Sequence, residues 1–295
     1  MSALADAVER VWPGRDARFE VLGGGITNHN VKVELDGETY VLRVAGKDTG
    51  LLGIDRGVEL AATRAAAALG IGPDVVRFVE PEGWLVTRFV PGEIPSLGRM
   101  REAEMLERVA RALGLLHGSA AIPGGFDSFR VVEEYRNTAV GRGGTIPADY
   151  EWAHELAGRI QRLRAADTVV PCHNDLLNAN FLDDGERLVV VDWEYAGMGD
   201  RFFDLANFAV NHELDAAGRR HLLESYFGEP RAEDEAALEL MRFMSDFREA
   251  MWGVVQTAVS ELDFDFGGYA SEHFERLRRT ADEPTFARAL TIQGA

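Results

Sequence analysis

Residues 170–197 read VPCHNDLLNANFLDDGERLVVVDWEYAG. Two short apolar runs here carry polar groups at their ends: His173, Asp175 and Asn180 near the first, and Asp192 closing the run RLVVVD. Asp175 follows His173 by two positions, and Asn180 follows Asp175 by five. The residues DDGE read as a turn between two strands, which brings the 175–180 loop and Asp192 side by side. The apolar runs are then a rigid scaffold, and the polar groups are a site at its rim. Asn and Asp are also ordinary turn residues. What sets this stretch apart is the compound spacing, H-x-D-x4-N followed by an apolar run that ends in Asp.

Upstream the chain reads as strand-rich. LADAVERVW is a short helix, and RFEVL, HNVKVEL and ETYVLRVA are strands, the last two joined at Asp36 and Gly37 by a hairpin signal. DRGVELAATRAAAALG reads as a helix with Asp55 as its cap and Gly70 past its end. DVVRFVE and GWLVTRFV pair around the turn PEG. PGEIPSLG, residues 91–98, has the Pro and Gly density of a linker. Helical patterns follow at 101–117, 131–141 and 148–166, and helices return from Phe202 onward. The expected architecture is α+β in two lobes: residues 1–90 bind a nucleotide, and residues 91–295 carry the catalytic loop and the substrate pocket, with a small-molecule site between them.

Composition narrows the function classes. The 295 residues are 46% hydrophobic, enough for a sizeable core and against wholesale disorder. The single cysteine, Cys172, forms no intrachain disulfide, which suits a reducing cytoplasm. No apolar run reaches the length of a bilayer span, and the start MSALADAVERVWPG lacks a signal-peptide pattern, so a soluble cytoplasmic protein is expected. The formal net charge of -18 repels nucleic acid and anionic membranes; it keeps the protein soluble and could draw in a cationic substrate. There is no G-x-x-x-x-G-K-[ST] loop, GGGIT fails G-x-G-x-x-G, and neither H-E-x-x-H, a zinc spacing nor G-x-S-x-G occurs.

Protein kinases place H-R-D-x-x-x-x-N before D-F-G. His173-Asn174-Asp175 with Asn180, then Asp192-Trp193-Glu194, keep that order. Asp175 would accept or orient the proton of an attacking hydroxyl. Asn180 and Asp192 would hold magnesium through oxygen atoms. His173 is expected to brace the loop by hydrogen bonds. In LGGGITNHNVKV the backbone at Gly24 and Gly25 would cover phosphates, with Thr27 and Asn28 adding polar contacts. Arg43 lies where kinases carry a phosphate-binding Lys, and Glu59 on the next helix is its expected partner. Residues 87–90, including Phe89, would form a hinge for adenine.

GGITNHN, YVLRV, CHNDLLNANFL and VVDWEYAGMGDRFFDLANF together resemble the choline/ethanolamine kinases within the aminoglycoside-phosphotransferase-like kinases. MWGVVQTAVSELDFDFGGYASEHF, residues 251–274, is similar to the C-terminal part of that family. The resemblance implies ATP- and magnesium-dependent phosphorylation of a small amino alcohol, choline or ethanolamine. It implies Asp175 as base, Asn180 and Asp192 as metal ligands, and Asp204 as a brace for the loop. It also implies an aromatic and acidic cage for an ammonium group, drawn from Tyr195, Trp252 and Tyr269 with Glu194 and Glu249. Two positions depart from the family. Glu249 stands where another Trp is frequent, and Asn211 stands where an acidic residue is expected. Thiamine, a sugar or an aminoglycoside stays open as the acceptor, as does a catalytically silent nucleotide-binding protein. A monomer or homodimer is expected, with no nucleic-acid or membrane partner.

Overall fold

The N-terminal strands form one antiparallel sheet because their apolar residues alternate. In β2 (Asn28–Leu35) Val31, Val33 and Leu35 are buried while His29 and Glu34 face outward. The computed structural model describes residues 2–23, 28–46, 49–164 and 168–292. In chain order these begin with α1 (Ser2–Val11), β1 (Arg18–Leu22), β2, β3 (Glu38–Ala45), α2 (Arg56–Ala68), β4 (Val75–Val79) and β5 (Trp84–Arg88). There follow α3 (Leu97–Met100), α4 (Ala103–His117), α5 (Ser128–Gly141), α6 (Asp149–Arg164), β6 (Val169–Cys172), β7 (Phe181–Asp183), β8 (Leu188–Val190) and β9 (Gly197–Asp200). The chain closes with α7 (Arg201–Asn211), α8 (Ala216–Phe227), α9 (Ala232–Val259), α10 (Phe266–Asp282) and α11 (Pro284–Ile292). The expected α+β class holds.

Two compact units result. The first contains residues 1–95, 122–124 and 178–196; the second contains 96–121, 125–177 and 197–295. The sheet of the first unit runs β1-β2-β3-β5-β4. The β2–β3 turn is the one expected at Asp36 and Gly37, whose φ angles of 55° and 81° are what a two-residue hairpin of the right twist demands. The amphipathic α1 covers one side: Ala7, Val8 and Val11 pack with Val31, Val33, Leu42 and Val86. Asp55 caps α2 as read from the sequence, accepting the backbone N–H groups of Gly57 and Val58 at 2.8 and 3.1 Å.

This division differs from a single cut after residue 90. The β7–β8 hairpin belongs with the first unit because its backbone is tied there. Val190 N–H donates to Ile71 O at 2.7 Å, Glu93 and Asp183 exchange two backbone bonds of 2.9 and 3.0 Å, and Asn178 Nδ2 donates to Pro95 O at 3.0 Å. Asn180, Asp192, Glu194 and Tyr195 are thereby part of the sheet-bearing unit. The 91–98 stretch is extended up to a short helix, α3, rather than a plain linker.

The second unit is built around α9, 28 residues or about 42 Å at the usual rise. Its middle is buried on nearly every face, with Phe243, Met244, Phe247 and Met251 fully enclosed. Packed around it are α5, α7, α10 and α11. The two-stranded β6–β9 ribbon carries the loop that begins at His173. Gly197 has no room for a side chain there, since an added Cβ would lie 3.1 Å from the Gly125 backbone.

Candidate active site

In the first unit the β7–β8 hairpin delivers Asn180 and Asp192. Val191 N–H donates to Asn180 O at 2.9 Å, which ties the two ends of the hairpin together. Trp193 is buried and donates from Nε1 to Val190 O at 2.9 Å, anchoring the chain just past Asp192. Asp192 itself sits at φ 66°, a left-handed conformation that is uncommon outside glycine and costs energy. Its carboxylate is about a quarter exposed and ion-pairs with Arg43.

Arg43 on β3 is the hub of a buried charge cluster. Nη1 donates to Glu59 at 2.9 Å, and Nη2 bonds Asp192 and lies 3.5 Å from Glu194. Burial acts to lower the Arg43 pKa, but the carboxylates of Asp192, Glu59 and Glu194 outweigh it and raise it. The expected Arg43–Glu59 pair is therefore present. Arg56, which sequence reasoning missed, is a second guanidinium beside it: it reaches Glu59 at 2.7 Å, Glu194 at 3.4 Å and Asn28 Oδ1 at 2.9 Å. Glu194 accepts from Asn28 Nδ2 at 2.8 Å. Burial, with the Asp192 charge adding to it, pushes Glu194 up to about 7. Glu194 thus braces the two arginines and Asn28, and differs in this from an open cage carboxylate. The offset of Arg56 from Glu59, three residues along α2, was the signal that could have found it.

Among the nucleotide candidates, Gly24, Gly25 and Thr27 lie outside the described residues. At the expected hinge the Phe89 N–H is taken up by Thr39 O at 3.1 Å, so this donor is committed to the sheet. Lys32 Nζ lies 5.3 Å from the Phe89 ring centre.

In the second unit the loop after β6 is clamped by α7. Asp204, fully buried, accepts the backbone N–H of His173 at 2.8 Å and of Asn174 at 2.7 Å. Asn174 is held at φ 67°, and with its own N–H and that of His173 both fixed on Asp204, this left-handed residue sets the direction in which Asp175 leaves. His173 acts as a brace: its Nδ1 accepts from Asp175 N–H at 3.2 Å. Two further braces were not read from the sequence. Asn207 Oδ1 accepts Leu176 N–H at 2.6 Å, and His117 on α4 joins Asp204 at 3.1 Å through Nε2 and the Tyr226 hydroxyl at 2.8 Å through Nδ1. His117, Cys172 and Asp204 offer ligand atoms within 4.8 Å of one another. Asp204 is already engaged by two N–H groups and His117, so it serves as a clamp. Burial pushes the Cys172 thiol well up, with the Asp204 charge adding to it.

Around Asp175 the second unit gathers Arg248, Glu249 and Trp252 from α9 and Tyr269 from α10. Arg248 Nη1 donates to Asp175 Oδ1 at 3.2 Å and to Glu249 Oε1 at 2.5 Å. The Tyr269 hydroxyl donates to Glu249 Oε2 at 2.9 Å. Burial opposes the ionisation of Glu249, but the charges of Arg248 and His273 and the Tyr269 bond hold its pKa below the usual range. Burial and the Glu249 charge push the Tyr269 hydroxyl far up, so it stays a donor. The Trp252 ring lies 5.5 Å from Tyr269 and 5.7 Å from Phe266, edge to face. Glu249 is thus engaged through both oxygens, unlike the bare carboxylate expected in place of a cage wall. Asn211 Nδ2 donates to Leu176 O at 3.5 Å, which places it against the catalytic loop. Tyr195 is buried in the first unit.

Asn180 and Asp192 offer a neutral amide and a carboxylate on one hairpin, an all-oxygen donor set that fits a hard divalent cation. Arg43 is ion-paired with that carboxylate. A sheet bearing a buried arginine–glutamate pair and a clamped H-x-D-x4-N loop are the parts of a kinase-type phosphotransferase.

Comparison with known proteins agrees. The family model described as "Phosphotransferase enzyme family" matches residues 18–240. A crystal structure of a choline/ethanolamine kinase family protein from Mesorhizobium loti is 31% identical, with a TM-score of 0.84 and 99% of each chain covered. The choline kinase LicA of Streptococcus pneumoniae shares the fold, with a TM-score of 0.78 at 21% identity over 95% of this chain and 97% of its own. Ethanolamine kinase 2 of Mus musculus is 28% identical over 90% of this chain and 76% of its own. The chain belongs to the phosphotransferase enzyme family, in its choline/ethanolamine kinase branch. The expected fold class and enzyme class are borne out. Among the described residues no helix is long and apolar enough to cross a membrane.

Proposed function

We propose that this enzyme transfers the γ-phosphoryl group of ATP to the hydroxyl of choline or ethanolamine. The observation that carries the acceptor class lies around the base: two carboxylates, Asp175 and Glu249, face one guanidinium, Arg248, beside the rings of Trp252 and Tyr269. One negative charge is left over, next to aromatic faces that attract a cation. A monocationic alcohol matches both features. The printed activities of the relatives, choline kinase and ethanolamine kinase, point the same way.

Asp175 receives the hydroxyl proton and orients the oxygen toward phosphorus. Phosphoryl transfer passes through a loose transition state, so placement matters more than basicity. Arg43 supplies positive charge to the phosphates, with Glu59 and Arg56 holding its guanidinium in place. Asn180 and Asp192 would hold magnesium, which when bound neutralises charge on the phosphate oxygens. The test is ATP turnover across choline, ethanolamine, thiamine, a sugar, an aminoglycoside and an uncharged alcohol of choline's size. Preference for choline or ethanolamine is expected. A kcat/KM highest for the sugar or the uncharged alcohol would refute the acceptor assignment, and turnover of none would refute the enzyme.

A further inference from the structure

We infer that Arg248 is a positioning residue, which locks the Asp175 carboxylate into its reactive orientation and is itself held by Glu249 and Tyr269. The inference rests on Asp175 being the base.

Arg248 stands in the most enclosed part of α9, 1% exposed between the buried Phe247 and Ala250. A guanidinium there is taken out of water, and an apolar side chain of similar length would fill the space without that penalty. Its contacts say what it is kept for. Glu249 is the adjacent residue, and neighbours on a helix point about 100° apart and do not face each other. The 2.5 Å contact between them therefore requires the side chains to converge on one spot. The same Nη1 atom also donates to Oδ1 of Asp175, from a loop 73 residues earlier, at 3.2 Å. Glu249 is in turn fixed from α10 by the Tyr269 hydroxyl at 2.9 Å. The line Asp175–Arg248–Glu249–Tyr269 thus joins the catalytic loop to two helices, all within the second unit.

The chemistry explains the arrangement. A buried carboxylate without a cation drifts toward its neutral form and can rotate. Arg248 is permanently charged, and its bond to Oδ1 fixes how the Asp175 carboxylate faces the acceptor hydroxyl. The cation weakens the base. A loose phosphoryl-transfer transition state tolerates that, because the attacking oxygen needs aim more than early deprotonation. Glu249 anchors the guanidinium, and its own charge explains why Arg248 is not drawn fully onto Asp175.

The test uses four variants of the full chain: Arg248→Met, Arg248→Met with Glu249→Gln, Asp175→Asn, and Asp175→Asn with Arg248→Met. Arg248→Met should lower kcat about 30- to 100-fold, with KM for ATP within twofold of wild type. It also strands Glu249, so it is the variant at risk of misfolding. The pair with Glu249→Gln removes that stranded charge; it should regain thermal stability and keep the kcat loss. In the Asp175→Asn background, Arg248→Met should change kcat less than twofold, since its target is gone. Recovery of wild-type kcat by the Arg248→Met/Glu249→Gln protein would mean Arg248 only neutralises Glu249, and the inference would be overturned. A full additional loss in the Asp175→Asn background would also overturn it. Wild-type kcat in Asp175→Asn alone would instead overturn Asp175 as the base.

Discussion

Asp204→Asn tests whether the catalytic loop is held in place by a single carboxylate. The side chain keeps its shape, but one oxygen becomes an amino group. In the wild type the two oxygens accept His173 N–H at 2.8 Å and Asn174 N–H at 2.7 Å, and His117 adds a third contact at 3.1 Å. Bonds from backbone N–H to a buried charge are worth about 1.5–3 kcal/mol each. Whichever way the amide turns, one backbone N–H meets another donor, and the surviving bond loses its charge assistance. The cost to stability is then about 3 kcal/mol. Relief comes by moving the loop. Since the left-handed Asn174 and the residue before it are both held by Asp204, the shift reaches Asp175 directly. A displacement of about 1 Å at a reacting group can cost roughly 100-fold in rate. Urea unfolding and steady-state turnover read the two effects separately. Asp234→Asn is the control: Asp234 caps α9 through Arg231, so its loss should lower stability and leave kcat alone. An Asp204→Asn protein within 1 kcal/mol and twofold of wild type, respectively, would refute the clamp (both margins being about the scatter of such assays).

Three further outcomes are expected. Asp192→Asn should raise the magnesium needed for half-maximal turnover by about tenfold or more, because a dication loses an anionic ligand; an unchanged magnesium titration would put the metal elsewhere. Trp252→Ala should raise KM for choline or ethanolamine about 2- to 30-fold, the range of a cation over an aromatic face, and leave KM for ATP alone; an equal loss with an uncharged alcohol would make Trp252 a packing residue only. His212 is buried, which pushes its pKa down to about 4 from 6.5, with nearby Arg101 adding to the shift. The unfolded chain then binds the extra proton between those values, so stability falls as pH drops from about 6.5 toward 4. Between pH 7 and pH 5 this one group contributes a loss of about 2 kcal/mol. His212→Gln should reduce the pH-dependent loss by that amount in urea unfolding, and an identical loss in the variant would contradict it.

Local patterns in the chain were enough for most of the elements. Alternation marked β2 and β3, Asp36-Gly37 marked their turn, and Asp55 marked the start of α2. The α5 helix starts at Ser128, three residues before the periodic stretch expected from 131, because Asp127 caps it with bonds to Phe129 and Arg130. The strand β9 was not legible. GMGD has no β-branched residue, and it is a strand only because Val169–Cys172 pairs with it.

The same distinction divides the site. Asp175, Asn180 and Asp192 fall within 18 residues, so their spacing alone announced the chemistry, and Arg43 with Glu59 followed from their strand and helix. Asn207 and Arg248 reach the loop from 31 and 73 positions away, His117 reaches Asp204 from 87, and no local pattern links them. A charged Arg-Glu pair amid the apolar middle of α9 was the one visible sign. The sequence by itself determined which candidate residues stand together, because those lie on one loop and one hairpin. Only the tertiary structure decided what holds them still, since a buried carboxylate or guanidinium acquires its role from partners that packing brings together.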